Sequence, residues 1–329
     1  MNQRFAAKRE YATMTRQQFL CTLSSGAVGF SARRAQAQPV AAQTFTYKTA
    51  GCEIHADVYG ASEGAAKPAL MWMHGGALIL GNRKGIMRPF HSALLEQGYV
   101  IVSIGYRLAP ETKLPAIVED VQDAWKWMHA RARRFGIDRA RIASGGASAG
   151  AYLAQMTGFC LNPRPRALVS YFGFGDIVGP WHAQPNQFYG RQPLVSKEEA
   201  FAAVGTTPIS DPPQGNQRDK FYLYCRQNGL WPMQVSGHDP QTEDRWFTPY
   251  CPIRNVTSKY PPTILIHGTA DTDVPYSLSK DMDAKLGKAG VVHDFITVDG
   301  AEHRLAGAKP EELSRVAARA VEFVNAHMA

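Results

Sequence analysis

Gly146-Ala147-Ser148-Ala149-Gly150 places a serine between small residues, with glycine two positions away on either side. This is the G-x-S-x-G pattern of a sharp strand-to-helix turn that lifts a hydroxyl clear of a sheet edge. The flanks agree. Arg141-Ile142-Ala143-Ser144 reads as a short strand, and Ala149, Leu153, Met156 and Cys160 follow at the spacing of one helix face. A serine hydroxyl is a weak nucleophile near neutral pH and needs a base, usually a histidine oriented by a carboxylate. The order Ser, Asp, His is met by Ser148, by Asp271 after the apolar run Thr263–His267, and by His303 after His293–Val298. Asp273 is a rival for the acid, but Asp271 emerges more directly from the strand. Among other histidines, His267 sits inside an apolar run and reads as a hydrogen-bonded core residue. His327 belongs to the last helix, and His182 and His238 to an irregular middle region.

Acyl transfer also requires donors for the charge that develops on the carbonyl oxygen. His74-Gly75-Gly76-Ala77 follows the third strand-like run, and its glycines let the main chain approach a substrate. The N–H groups of Gly75, Gly76 and Ala149 are therefore the expected oxyanion hole, with His74 ordering the loop. No metal or organic cofactor is implied, and no zinc-ligand spacing is present.

Eight β-rich runs must carry these residues: Thr44–Tyr47, Ile54–Tyr59, Ala69–His74, Tyr99–Ile104, Arg141–Ser144, Ala167–Phe172, Thr263–His267 and His293–Val298. Several are apolar without alternation, as in strands buried on both faces of a parallel sheet. Helical stripes lie between them: Ile117, Val121, Ala124, Trp125 and Met128; Leu278, Met282, Leu286 and Ala289; and Leu313, Val316, Ala317, Ala320, Val321 and Val324. The expected fold is α/β, a doubly wound, mostly parallel eight-stranded sheet. Residues 38–329 form this domain. About 176–260 break the rhythm and read as an inserted cap, whose aromatics would give it a small core of its own.

At this point the chain resembles α/β-hydrolase serine esterases and lipases, close to the hormone-sensitive-lipase-like and feruloyl-esterase-like bacterial carboxylesterases. The matching stretches are His74-Gly75-Gly76, Tyr106-Arg107-Leu108-Ala109-Pro110-Glu111, Pro115-Ala116 with Asp120 and Trp127, and Phe135-Gly136-Ile137-Asp138 running into the elbow. With the Asp271 and His303 loops they span about residues 44–175 and 260–326. Ala147, Ala151 and Ala77 depart from the family pattern without removing a catalytic group. The resemblance implies hydrolysis of small-molecule esters, short-chain acyl or aromatic and sugar esters, through an acyl-enzyme. A peptidase of the prolyl-oligopeptidase type shares the fold and triad order, but the sequence leaves no room for its propeller. A non-catalytic binding module on the same fold would usually lack a triad member.

The net charge is +8 over 329 residues, and most of it lies in the first 37. The remainder has no basic run or aromatic-basic stripe, which speaks against nucleic-acid binding. Residues 1–37 read as an export signal: basic residues, the apolar stretch Phe19 to Phe30, and an Ala35-Gln36-Ala37 cleavage pattern. The stretch is too short to span a membrane. Export to the periplasm or medium is the expectation. Of the cysteines remaining after cleavage, Cys225 and Cys251 are the expected disulfide pair, and Cys160 a buried apolar residue of its helix.

Overall fold

The computed structural model of the chain describes residues 41–328; the expected export signal lies outside them. Each of the eight expected runs falls on a strand: β1 (Gln43–Thr49), β2 (Glu53–Tyr59), β3 (Lys67–Met73), β4 (Val100–Ile104), β5 (Ile137–Ala147), β6 (Leu168–Tyr171), β7 (Thr263–Gly268) and β8 (His293–Val298). They form one sheet in the order β1-β2-β4-β3-β5-β6-β7-β8. β1 and β2 are antiparallel to their neighbours, and all pairs from β4 to β8 are parallel. β4, β6 and β7 are buried at every position, which explains their unbroken apolar composition. Winding reverses at β3, since β4 is added on one side of it and β5 on the other. The loops leaving β3 and β5 therefore open a crevice at the carboxyl ends of the strands.

Alternation along β3 divides the core into two layers. Met71 and Met73 face α2 (Leu114–Ala130) and α3 (Ala149–Cys160), where Ile117, Val121, Met128, Tyr152 and Leu153 are buried. Leu70 and Trp72 face the opposite way, towards α1 (Arg88–Glu96) and the helix Pro310–Ala326, through Phe90, Leu94, Val316, Ala320 and Val324. The helix Tyr276–Lys288 covers the far end of the sheet with Met282 and Leu286. Among the described residues no helix is long and apolar enough to cross a membrane.

Between β6 and β7 the chain forms only helices and loops. The longest helix there is α4 (Arg218–Asn228); the others, including Pro180–Ala183, Gln187–Gly190 and Trp231–Ser236, are short. The expectation of a separate core in this region is corrected. Phe221, Cys225, Trp231, Val235, Phe247 and Cys251 bury into the same cluster as Met71 and Tyr152. Helices of one to three turns cannot enclose a core alone, so their apolar faces close onto the sheet layer. The expected Cys225–Cys251 disulfide is also absent: both are free, buried thiols, and the Cys251 sulfur faces Asp176 at 4.0 Å. Cys160 is only half-buried.

Polar ties fix this region to the loops after β3 and β4. The buried Arg218 guanidinium donates to Ile79 O and Ala109 O, each at 2.6 Å, and to both carboxylate oxygens of Glu111 at 2.7 and 2.8 Å. Trp231 Nε1 donates to Ala77 O at 2.8 Å. Replacing Arg218 with Met removes the charged partner of the buried Glu111 carboxylate, which keeps the Gly205 N–H, and takes a donor from two carbonyls, so a loss of about 3–5 kcal/mol of folding stability is expected in denaturant titration. A loss below about 1 kcal/mol would mean that the pair is no more than a surface-type bridge.

Candidate active site

Ser148 stands between the end of β5 and the start of α3 with φ 55° and ψ −123°, a backbone state that costs a non-glycine residue energy. Its N–H donates to Tyr171 O at 2.9 Å, and its carbonyl accepts from Ala151 N and Tyr152 N at 2.9 and 3.0 Å. These bonds hold the strained residue from both sides. A Cβ at Gly150 would overlap Met73 O and His74 O, so the first turn of α3 is packed against the end of β3. That close approach is why the second elbow glycine is needed. Ser148 is half-exposed at the sheet edge.

Asp271 follows β7 and its carboxylate is buried and fully engaged. Oδ1 accepts from Asp273 N at 2.9 Å and Val274 N at 2.8 Å. Oδ2 faces His303 Nδ1 at 2.7 Å and His267 Nε2 at 3.1 Å. Burial alone would raise its pKa, but the hydrogen bonds from His267 and His303, the charge of His303 and the Val274 amide outweigh this and lower it to about 2. His267, read from sequence as a core residue, is buried, and it also orients the acid. Two acceptors, Asp271 Oδ2 and Val274 O, face its Nε2, which puts the ring proton there; Ser279 Oγ then faces Nδ1 at 2.7 Å. The available sequence signal was its position four residues before Asp271 on the strand end.

His303 opens a short 3₁₀ turn after β8, His303–Leu305. Nδ1 meets Asp271, and Nε2 lies 3.2 Å from Ser148 Oγ. The edge of Phe172 packs on the ring at 5.0 Å between centroids. Glu302, which sequence reasoning missed, ties the two loops together: its carboxylate accepts from Thr272 N at 3.1 Å and Thr272 Oγ1 at 2.9 Å. Burial would lower the pKa of His303, but the Asp271 hydrogen bond and the charges of Asp273 and Asp271 raise it above the free imidazole value. The rival acid Asp273 does not reach Nδ1. Its Oδ2 stands 3.6 Å from Nε2, and its other oxygen is held by Tyr222 and Arg226.

The loop after β3 runs beside the serine. A Cβ built on Gly75 would lie 3.3 Å from Ser148 Cβ, which brings this loop and the elbow into contact. Gly76 follows, and its carbonyl is turned back to accept from Ile79 N and Leu80 N. Ala149 is the first residue of α3, so its N–H has no acceptor within the helix and lies at the positive end of the helix dipole. The buried His74 faces Gly75 O through Nδ1 at 2.8 Å and stacks on Tyr106 at 4.2 Å. Burial lowers its pKa to about 4, so it stays neutral and orders the loop without exchanging protons near pH 7. Among the described residues no group of three or more His, Cys, Asp or Glu side chains converges as metal ligands would.

Chemically, the arrangement offers a hydroxyl, a base on it, an acid behind the base and a glycine loop beside them. Comparison with known proteins points the same way. Residues 56–286 match the family model described as BD-FAE. A non-reducing polyketide synthase, Preu6 of Preussia isomera, is 26% identical over 297 residues, which is 79% of this chain but only 13% of the synthase. Esterase LipC of Mycobacterium tuberculosis is 28% identical over 262 residues, 74% of this chain and 58% of LipC. The chain thus spans less than two thirds of the length of these relatives. An α/β-hydrolase superfamily protein from Enterococcus faecalis superposes with a TM-score of 0.69 at 20% identity, covering 87% of this chain and 98% of the other.

The electrostatics can be read by NMR. The His303 ring is expected to titrate above the usual imidazole value of about 6.5, whereas His74 should take up a proton only near pH 4. A His303 midpoint below that of an exposed histidine would contradict the contact with Asp271 described above.

Proposed function

The chain belongs to the BD-FAE family, with the α/β-hydrolase fold of esterases and lipases, and from that premise we propose that it is a serine carboxylesterase. The observation that carries the reading is the unbroken relay from Ser148 Oγ to His303 Nε2 at 3.2 Å and from His303 Nδ1 to Asp271 at 2.7 Å. Ser148 Oγ attacks the ester carbonyl carbon as His303 Nε2 takes its proton. Asp271 holds the ring in the tautomer with hydrogen on Nδ1 and stabilises the imidazolium. The carbonyl oxygen, now negative, is held by the N–H groups of Gly75, Gly76 and Ala149. The tetrahedral species expels the alcohol, which leaves with the proton from His303. Water then repeats the sequence on the acyl-enzyme and releases the acid and free Ser148.

The substrates proposed are small esters, with short acyl chains or with aromatic or sugar components. The aromatic residues between β6 and β7 support this reading where they remain half-exposed beside the Asp271 loop, as Tyr222 does. The basic leader with its Ala35-Gln36-Ala37 pattern supports export of the enzyme.

Fluorophosphonate labelling followed by peptide mapping is expected to place the adduct on Ser148. Ser148→Ala should abolish labelling and reduce ester turnover by about 10⁶-fold while circular dichroism stays unchanged. Asp271→Asn should cost roughly 10⁴-fold in kcat, because the imidazole is then held in the wrong tautomer. Turnover that survives in the alanine variant would remove Ser148 from its proposed role.

A further inference from the structure

The loop that carries Asp271 brings a second carboxylate to the same imidazole. Asp273 Oδ2 lies 3.6 Å from His303 Nε2, against 3.2 Å for Ser148 Oγ. Nε2 is the nitrogen that must take the serine proton and return it to the leaving alcohol. A carboxylate is a stronger acceptor for a charged N–H than a hydroxyl or an ester oxygen. Were Asp273 to close the remaining gap, it would capture the imidazolium, pull the ring from Ser148 and withhold the proton from the leaving group.

Two side chains of α4 restrain it. Tyr222 and Arg226 are four residues apart, on one face of the helix. Tyr222 Oη donates to Asp273 Oδ1 at 2.5 Å and Arg226 Nη1 to the same oxygen at 2.8 Å. Arg226 Nη2 donates to the Asp273 main-chain carbonyl at 3.0 Å. The Arg226 side chain is fully buried. Its guanidinium lies over the rings of Trp181, Tyr189 and Tyr222, 4.9–5.7 Å from their centroids, so its position is fixed on several sides. The bonds from Tyr222 and Arg226 go to Oδ1 and to the main chain and draw the carboxylate towards α4, away from the histidine.

We propose that Arg226 and Tyr222 are positioning residues, which hold Asp273 by Oδ1 so that Oδ2 stops short of His303 Nε2 and the bond to Ser148 is kept. The inference rests on the serine esterase reading and deepens it. The charged and titratable groups that face His303 are Asp271 at Nδ1, Ser148 and Asp273 at Nε2, and Arg304 in its own turn. Those that face Asp273 are Tyr222 and Arg226 from α4, Tyr189 from the helix Gln187–Gly190, and His303.

The test is the pH profile of kcat/KM on p-nitrophenyl acetate, together with the rate of fluorophosphonate reaction at Ser148. Arg226→Met frees Asp273 to pair with His303. The acid limb should move up by about one pH unit, and activity at pH 7 should fall roughly tenfold or more. Tyr222→Phe removes one side-chain donor to Asp273 and should move the limb the same way by less. The decisive variant is Arg226→Met/Asp273→Asn, in which the competing anion is gone: activity should recover most of the loss, with the limb at or below the wild-type position. A double variant as impaired as Arg226→Met, or single variants whose limb does not move, would overturn the inference. If Arg226→Met does not fold, the Tyr222→Phe limb decides alone. Failure of the wild type to label at Ser148 would instead overturn the esterase reading, so the two failures are distinguishable.

Discussion

The close approach of the β5–α3 turn to the end of β3 is the constraint on which the site depends. Gly150 packs on the Met73 and His74 carbonyls, and Gly75 packs on Ser148. This contact forces Ser148 into its left-handed backbone, and bonds to Tyr171, Ala151 and Tyr152 keep it there. The same contact brings the N–H of Ala149 and the Gly75–Gly76 main chain to the serine. The proposed nucleophile and oxyanion donors are thus set by one piece of backbone packing, at the point where the direction of winding reverses.

His303 and Asp271, the proposed base and acid, arrive separately, and electrostatics aligns them. Asp271 is surrounded by four donors, two main-chain and two imidazole, and so remains ionised despite its burial. Its charge then favours the protonated form of His303, the state the proposed reaction must generate. His267 matters because it saturates Asp271 from inside the core, leaving His303 as the partner on the cleft side. Glu302 and Thr272 lock the two loops to each other. Placement of Ser148, Asp271 and His303 therefore relies on neighbours such as His267, Thr272 and Glu302.

Much of this was legible in the sequence, for physical reasons. The strands are buried on both faces, so composition alone marks them, as in Val100–Ile104. The elbow uses small residues, and Asp271 and His303 each follow a strand, as their positions in the sequence suggest. Reading failed where contacts are remote in sequence. Phe221, Trp231 and Phe247 looked like a core for the cap because other members of the cluster they join, such as Met71 and Tyr152, lie far away along the chain. Cys225 and Cys251 looked like a pair because they are near in sequence and rich in loop context, yet each thiol is occupied by its own packing. His267 showed its burial but not its second role, since an apolar run announces only the first. Arg218, Tyr222, Arg226 and Glu302 carried no periodic or motif signal at all, and their importance appears only once the loops they hold are in place.

The insertion between β6 and β7 grips both sides of the cleft: Arg218 and Trp231 hold the segment after β3, and Tyr222 and Arg226 hold the one after β7. It is therefore scaffolding and not a detachable module. Grafting the corresponding stretch from another hydrolase to alter selectivity would import a foreign set of supports for the reacting groups. On the esterase reading proposed above, such a chimaera would forfeit rate along with preference unless its new helices supplied donors to the same carbonyls and the same carboxylate.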